Sequence, residues 1–283
     1  MGKIIIASDS SCDLSPEIIE RYDIKIVPFT VNMGEKSYKD GVDVFPDDLY
    51  KFEQESGTLP KTAAVNMAEA EEFFEKIRDD KSDPIIFFAL SASMSGTYQY
   101  ATAAAEELGN IYTVDSQNLS TGVGHLVIKA AELAKSGKTV DEILAVIEKM
   151  KPCVRASFVL DKLEYLHKGG RCSAVAAFGA NLLKLKPMIG VRDGAMGVEK
   201  KYRGQYYEVL KQYTKDLLEG NDNVDLDRCI VTHSGVTPEC LNDIVELVKT
   251  TLPFKEVLIT RAGATISVHC GPNCLGVLFV EKY

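Results

Sequence analysis

Residues 84–90 read Pro-Ile-Ile-Phe-Phe-Ala-Leu, an almost wholly apolar run of strand length, and this run constrains the fold more than any other stretch. A half-exposed strand alternates apolar and polar residues. A run apolar in both parities must be buried on both faces, as strands are in a parallel sheet covered by helices. The surrounding sequence supplies those helices. Lys3–Ala7 is a short β-branched run, and Asp9–Pro16 supplies turn and capping residues before a helical Glu17–Tyr22. Lys25–Val31 reads as a second strand, which Pro28 moves towards a sheet edge or end. Gly34–Asp43 reads as a turn or hairpin tip. Helical periods follow over Phe45–Glu55, Met67–Arg78, Tyr98–Leu108, Gly122–Lys135 and Val140–Met150, with a short strand at Ile111–Val114. Strands alternating with helices predict an α/β fold whose first part is a doubly wound, mainly parallel sheet.

The rhythm changes near Lys151 and Pro152, which predicts two α/β domains, residues 1–150 and 151–283. In the second, Ser157–Leu160, Met188–Arg192, Gly197–Lys201, Cys229–His233, Glu256–Thr260 and Leu275–Val280 read as strands. Tyr206–Leu218 and Pro238–Thr250 read as helices, with Gly220–Asp227 as a polar loop. A chain of 283 residues, 46% apolar and 26% charged, has enough material for two cores.

Composition narrows the function classes. A net charge of -9 with scattered lysines and arginines repels phosphate backbones, so nucleic acid is not an expected partner. No apolar run reaches the roughly 18 residues that span a bilayer, and Met1–Ser11 has too short an apolar core for a signal peptide. Ile6 stands where a myristoylation motif needs a hydroxyl residue. A cytoplasmic protein with no membrane insertion is expected, and seven irregularly spaced cysteines fit reduced thiols. Gly137-Lys138-Thr139 lacks the upstream glycine of a phosphate-binding loop, and Gly122-Val123-Gly124 carries Val127 where a dinucleotide fingerprint needs its third glycine. His269, Cys270 and Cys274 lack an evident fourth ligand, so neither a metal nor a cofactor is expected.

Two hydroxyl-rich loops remain. Pro60–Ala64 precedes a helix, and Leu90–Thr97 joins the apolar strand to the next helix. Ligands of open α/β sheets bind beyond the carboxyl ends of strands, where helix N-termini hold free N–H donors. Ser91, Ser93, Ser95 and Thr97 are therefore candidate anion contacts, and Gly96 permits close backbone approach. Capping explains the same residues equally well.

Six motifs in one order resemble the DegV family over essentially the whole chain. They are Asp9-Ser10-Ser11-Cys12-Asp13; Pro60-Lys61-Thr62; Leu90-Ser91 with Ser95-Gly96-Thr97-Tyr98; Lys168-Gly169-Gly170-Arg171; Ala180–Lys184 through Lys186-Pro187; and His269 with Gly271-Pro272 and Leu275-Gly276. The resemblance implies one long-chain fatty acid held between two α/β domains, with no chemistry of the chain's own. It also implies a separate fatty acid kinase that phosphorylates the bound acid. By position, Thr62, Ser95 and His269 would meet the carboxylate, helped by Ser93 and Gly96, and Arg203 would face the kinase. Arg171, Ser91 and Thr97 are either ligand contacts or structural. Ala63, Ala64, Ala92, Cys270 and Asn273 depart from the family's usual residues, which bears on chain selectivity.

A sixteen-carbon tail moved into a dry tunnel gains on the order of 10 kcal/mol at about 0.8 per methylene, before ordering costs. The head therefore needs orientation more than strength. Two alternatives stay open: an acyl hydrolase using Ser95 and His269, although no nucleophile-elbow motif surrounds Ser95, and a binder of a non-lipid carboxylate. The other histidines, His125, His167 and His233, read as structural.

Overall fold

The computed structural model describes residues 3–171 and 185–283, so the Ala180–Lys184 motif lies outside the described residues. In chain order the first elements are β1 (Ile5–Asp9), α1 (Pro16–Tyr22), β2 (Lys25–Val27), β3 (Thr30–Met33), β4 (Lys36–Lys39), α2 (Pro46–Ser56) and β5 (Lys61–Ala63). Next come α3 (Met67–Ile77), β6 (Ile85–Ala89), α4 (Thr97–Leu108), β7 (Ile111–Asp115), α5 (Thr121–Lys135) and α6 (Val140–Met150). Then follow β8 (Val154–Arg155), β9 (Ser157–Val159), α7 (Glu164–Gly169), β10 (Lys186–Arg192), β11 (Ala195–Tyr202) and α8 (Tyr206–Leu218). The chain closes with β12 (Val224–His233), α9 (Pro238–Thr251), β13 (Glu256–Arg261), α10 (Ala264–Cys270) and β14 (Leu275–Glu281).

The first sheet has the order β2-β1-β6-β7 and every pair is parallel. All five residues of β6 are buried, as its apolar run requires, and so are all five of β1. Side-chain caps set helix starts nearby: Asn66 accepts from the Glu69 N–H at α3, and Thr139 from the Glu142 N–H at α6.

One expectation fails here. Lys25–Val31 is not a single strand, because Pro28 has no N–H to donate and pairing with β1 ends at Val27. From Thr30 the chain enters a separate antiparallel sheet of order β4-β3-β5. The expected turn at Gly34–Asp43 is therefore partly strand β4. Thr62, expected in a loop, lies on β5 opposite Val31.

The second sheet has the order β11-β10-β9-β14-β12-β13, with β8 also on β14. Only β12 and β13 pair in parallel, joined through α9; the other pairs are antiparallel. β12 starts at Val224, inside the expected polar loop, because Val224 is buried and pairs with Glu281 before a register shift. The parallel sheet uses strands no later than Asp115 and the mixed sheet strands no earlier than Val154.

Between the sheets lies α5, buried from Thr121 through Ile128 and packed on β1, β6, β8 and β14. Its core joins Phe88 and Val114 of one sheet to Ile189, Ile230 and Leu278 of the other. No described helix is long and apolar enough to cross a membrane.

β14 runs between β9 and β12, and this close pairing makes a test. A Cβ on Gly276 would lie 2.7 Å from the Ser157 carbonyl oxygen and 2.9 Å from Leu278 Cδ1. Backbone cannot give way as a side-chain tip can. Gly276→Ala is therefore expected to lose about 1–3 kcal/mol, read as a shifted denaturant midpoint at unchanged slope.

Candidate functional site

The site is organised around α10, a seven-residue helix that the sequence reading did not anticipate. So short a helix is not stable alone, and its first N–H groups need acceptors. Two carboxylates from the other end of the chain supply them. Asp40 accepts from Ala264 N at 2.7 Å and Thr265 N at 3.2 Å, and Asp13 accepts from Gly263 N at 2.8 Å. Ser10 Oγ donates to Asp40 and Ser120 Oγ to Asp13, at 2.9 and 2.5 Å. Ala264 and Val268 then pack on Val31 of the small sheet, Val44 of the connecting segment and Leu49 of α2. Asp9 performs a related task on the other side, accepting from the Leu90 N–H at 2.8 Å where the serine-rich loop begins.

These contacts hold α10 beside a cavity of about 580 Å³ whose lining comes from both halves of the chain. Its walls are mostly apolar, with Phe29, Leu90, Leu119, Phe158, Leu166 and Leu278 among them. Thr62, Ser93, Ser95, Gly96, Arg171 and His269 all line it. Thr62 Oγ1 and His269 Nε2 share a hydrogen bond of 3.0 Å across 207 residues of sequence. Ser95 Oγ accepts from Thr97 N at 3.2 Å and pairs with Thr97 Oγ1 at 3.0 Å. Because Thr97 Oγ1 itself accepts from Val65 N, the Thr97 proton can go to Ser95 and leave the Ser95 proton for a ligand.

Other candidate residues are placed differently. Ser91 and Thr97 are fully buried outside the cavity lining, and their hydroxyls serve the loop's own structure. Ser91 Oγ donates to the Gly194 carbonyl at 2.7 Å, and Ser93 Oγ donates to the same oxygen, so the serine loop docks on the β10–β11 turn. Arg171 is exposed, donating to the Gly169 carbonyl at 2.9 Å. Arg203 is exposed just past the end of β11 and does not line the cavity.

Burial pushes the His269 pKa down to about 4, and the Arg171 charge adds to the effect. The ring is neutral at pH 7 and holds a single donor. Its Nδ1 is enclosed without a hydrogen-bond partner among the described residues and faces Gly169, where a Cβ would come within 2.4 Å of it. A Cβ on Gly271, at φ +70, would likewise meet the Tyr165 ring at 2.3 Å. Thus α7 and α10 touch where glycine leaves room, and this contact turns Nε2 towards Thr62.

The chain matches, over residues 3–282, a family model described as an uncharacterised protein of the DegV family. The chain belongs to the DegV family. A DegV domain-containing protein of Caldanaerobacter subterraneus subsp. tengcongensis is 34% identical over all of both chains, and one of Clostridium perfringens 33% identical over all of both. Among solved structures, a fatty-acid-binding DegV family protein of Thermus thermophilus has a TM-score of 0.89 at 27% identity, covering 99% of this chain and all of its own. DegV of Bacillus subtilis, a fatty acid binding protein, has a TM-score of 0.83 at 28% identity with both chains covered in full. A stearic acid-binding protein of Eubacterium ventriosum has a TM-score of 0.84 at 27% identity, covering all of this chain and 99% of its own.

Several DegV motifs have a physical task in this chain that sequence reasoning did not assign. The Asp-Ser-Ser-Cys-Asp stretch provides Ser10 and Asp13 for the network that seats α10, and Asp9 for the start of the serine-rich loop. Gly169 of the Lys-Gly-Gly-Arg stretch makes room for His269. Asp40 had no local signal at all, because its partners lie 224 and 225 residues away.

Gly169→Ala should push the His269 ring from Thr62, moving its side-chain NMR signals while leaving far-UV circular dichroism unchanged. Asp13 gives a test by pH. Burial raises its pKa to about 8, assisted by the Asp40 and Asp9 carboxylates and opposed by the bonds from Ser120 and Gly263. The native state thus holds the proton more tightly than the unfolded chain. Its stabilisation is complete below the unfolded value near 4 and is lost as pH rises through about 8. The stability of the parent relative to Asp13→Asn should accordingly fall between pH 5 and pH 9 in paired denaturant titrations.

Proposed function

We propose that this chain binds one long-chain fatty acid in the cavity and presents its carboxylate to a partner kinase for phosphorylation. The observation that carries the reading is the lining of the site: a mostly apolar cavity that Thr62, Ser95 and His269 share. Its volume of about 580 Å³ falls in the roughly 300–1,000 Å³ range of small-molecule sites. Fatty acid binding by the DegV proteins of Thermus thermophilus and Bacillus subtilis supports the same ligand class. The tail supplies affinity through burial; neutral His269 donates its Nε2–H to Thr62, which leaves the Thr62 proton, with that of Ser95, to orient the carboxylate. Exposed Arg171 provides a positive charge at the rim.

The carrier reading is favoured over an acyl hydrolase by one contact pattern. The Ser95 hydroxyl is paired with Thr97, and His269 Nε2 with Thr62, so the pair lacks the hydrogen bond that makes serine a nucleophile. Presentation to a kinase rests on the family resemblance and on Arg203, an exposed cation near Lys200, which pairs with Asp216.

Protein purified from its host and extracted with organic solvent should release about one long-chain fatty acid per chain by native mass spectrometry. Thr62→Val and Ser95→Ala should each weaken binding by about 10- to 100-fold, the range for losing a hydrogen bond to a charged group. Arg203→Ala should leave that affinity unchanged and slow phosphorylation of the bound acid. Extraction that yields no lipid, with no binding of added hexadecanoate, would remove the reading.

A further inference from the structure

The β10–β11 hairpin reaches from the mixed sheet to the serine-rich loop of the other half. Arg192 pairs with Ala195 across the turn Asp193-Gly194, whose φ values of +49 and +78 suit a tight hairpin with both central residues left-handed. On the sheet side this tip has few ties. β11 is an edge strand, and β10 pairs with β9 only from Met188 to Gly190. Past Gly190, Val191 N donates to the Ala156 carbonyl at 3.0 Å. The β10–β11 register also shifts between Met188 and Ile189, and a strand pair bends at such a bulge.

The tip is fastened instead by side chains of the other half. Ser91 Oγ, at 2.7 Å, and Ser93 Oγ both donate to the Gly194 carbonyl, so both lone pairs of that oxygen are engaged. Gly194 is buried, although Asp193 and Ala195 on either side of it are exposed. A Cβ on Gly194 would lie 2.8 Å from Ser91 Oγ, so glycine is what lets the two segments come this close. Met196, two residues further along β11, lines the cavity. So do Ser93 and Ser95 of the loop that receives the tip. The contact at Gly194 therefore joins the Met196 side of the cavity wall to the Ser95 side.

We propose that Ser91, Ser93 and the Gly194 carbonyl form a latch, and that the hairpin tip swings out about its bulge to admit and release the acyl chain. This rests on the carrier reading above. An acyl tail gains its affinity from a closed apolar wall, yet it can enter or leave only through a gap. The hairpin tip supplies one, because a few hydrogen bonds hold it to the far wall. Ser91 stands outside the cavity lining, so the bond it donates holds the empty and the filled cavity closed alike. Weakening that bond raises the open population in both states. Ligand then enters and leaves faster by the same factor, and its equilibrium affinity stays nearly constant.

The test is stopped-flow binding and displacement of cis-parinarate, a long-chain polyene acid whose fluorescence rises on burial. Ser91→Ala should raise the association and dissociation rates each by about tenfold, the order of one net hydrogen bond, and keep Kd within about threefold of the parent. Gly194→Ala drives a Cβ against Ser91 from the opposite side and should act in the same direction. Thr62→Val, which removes a ligand contact, should raise dissociation without speeding association. In ligand-free protein, amide hydrogen exchange of residues 191–196 should quicken in Ser91→Ala and Gly194→Ala, while that of β12 and β14 stays as in the parent. Variants that melt lower yet bind and release ligand at the parent's rates make the contact structural and overturn this inference alone. A faster dissociation without a matching rise in association overturns it too, as do hairpin amides that exchange no faster. Parent protein that binds neither cis-parinarate nor hexadecanoate overturns the carrier reading and this inference with it.

Discussion

The hydrogen bonds from Gly263, Ala264 and Thr265 to Asp13 and Asp40 are the contacts on which the rest of the site depends. They join the end of the chain to its beginning and satisfy the N–H groups that would otherwise make a seven-residue helix untenable in a protein interior. The partial positive charge of a helix start favours carboxylates there. Burial opposes them, and so does their mutual repulsion, which is why Asp9 is pushed up to about 6 and Asp13 to about 8. The network therefore combines good hydrogen-bond geometry with an electrostatic penalty that protonation relieves. His269 and Thr265 take their positions from the helix that this network seats.

Around that clamp, further contacts join the two halves of the chain. Arg228 of the mixed sheet pairs with Glu132 of α5 at 2.7 Å and with Glu256 at 2.8 Å, and its side chain is only 11% exposed. Arg21 reaches Glu256 from α1, and Arg261 reaches Asp47 of α2. The exposed pairs contribute little individually, whereas removing the sheltered Arg228 would leave Glu132 without its cation and Glu256 with Arg21 alone. Ser91 and Ser93 add the contact to Gly194. Both walls of the cavity are thereby held.

Much of the fold was legible because it follows from local pattern. The fully apolar Ile85–Ala89 strand, the helix at Tyr206–Leu218 and the strand–helix alternation were readable from periodicity, which burial on one or both faces imposes. Pro28 signalled an interruption, but its consequence, a third sheet carrying Thr62, depends on where the chain pairs after the break. Helix α10 escaped notice because seven residues give under two turns of pattern and its stability comes from distant carboxylates. In the site, motif order pointed to Thr62, Ser95 and His269. His233 was read as structural, and its ring does accept a backbone hydrogen bond, from Gly235 N at 3.1 Å. Ser91 and Thr97 looked like ligand contacts by residue type, while their hydroxyls are engaged by Gly194 and by Val65 with Ser95.

The sequence by itself determined the element types, the α/β class and the family, because these depend on periodicity, capping residues and motif order along a single chain. It also determined the chemistry available: an acidic chain with hydroxyls and one well-placed histidine, but no phosphate loop and no dinucleotide fingerprint. Only the tertiary structure decided which groups meet. Thr62 finds His269 across 207 residues, and Asp13 finds Gly263 across 250. Protonation was decided there too, since a histidine with an ordinary pKa near 6.5 becomes one near 4 only when packing removes its water. Hydrogen bonding and desolvation act over a few ångströms in space, and sequence distance carries no information about either.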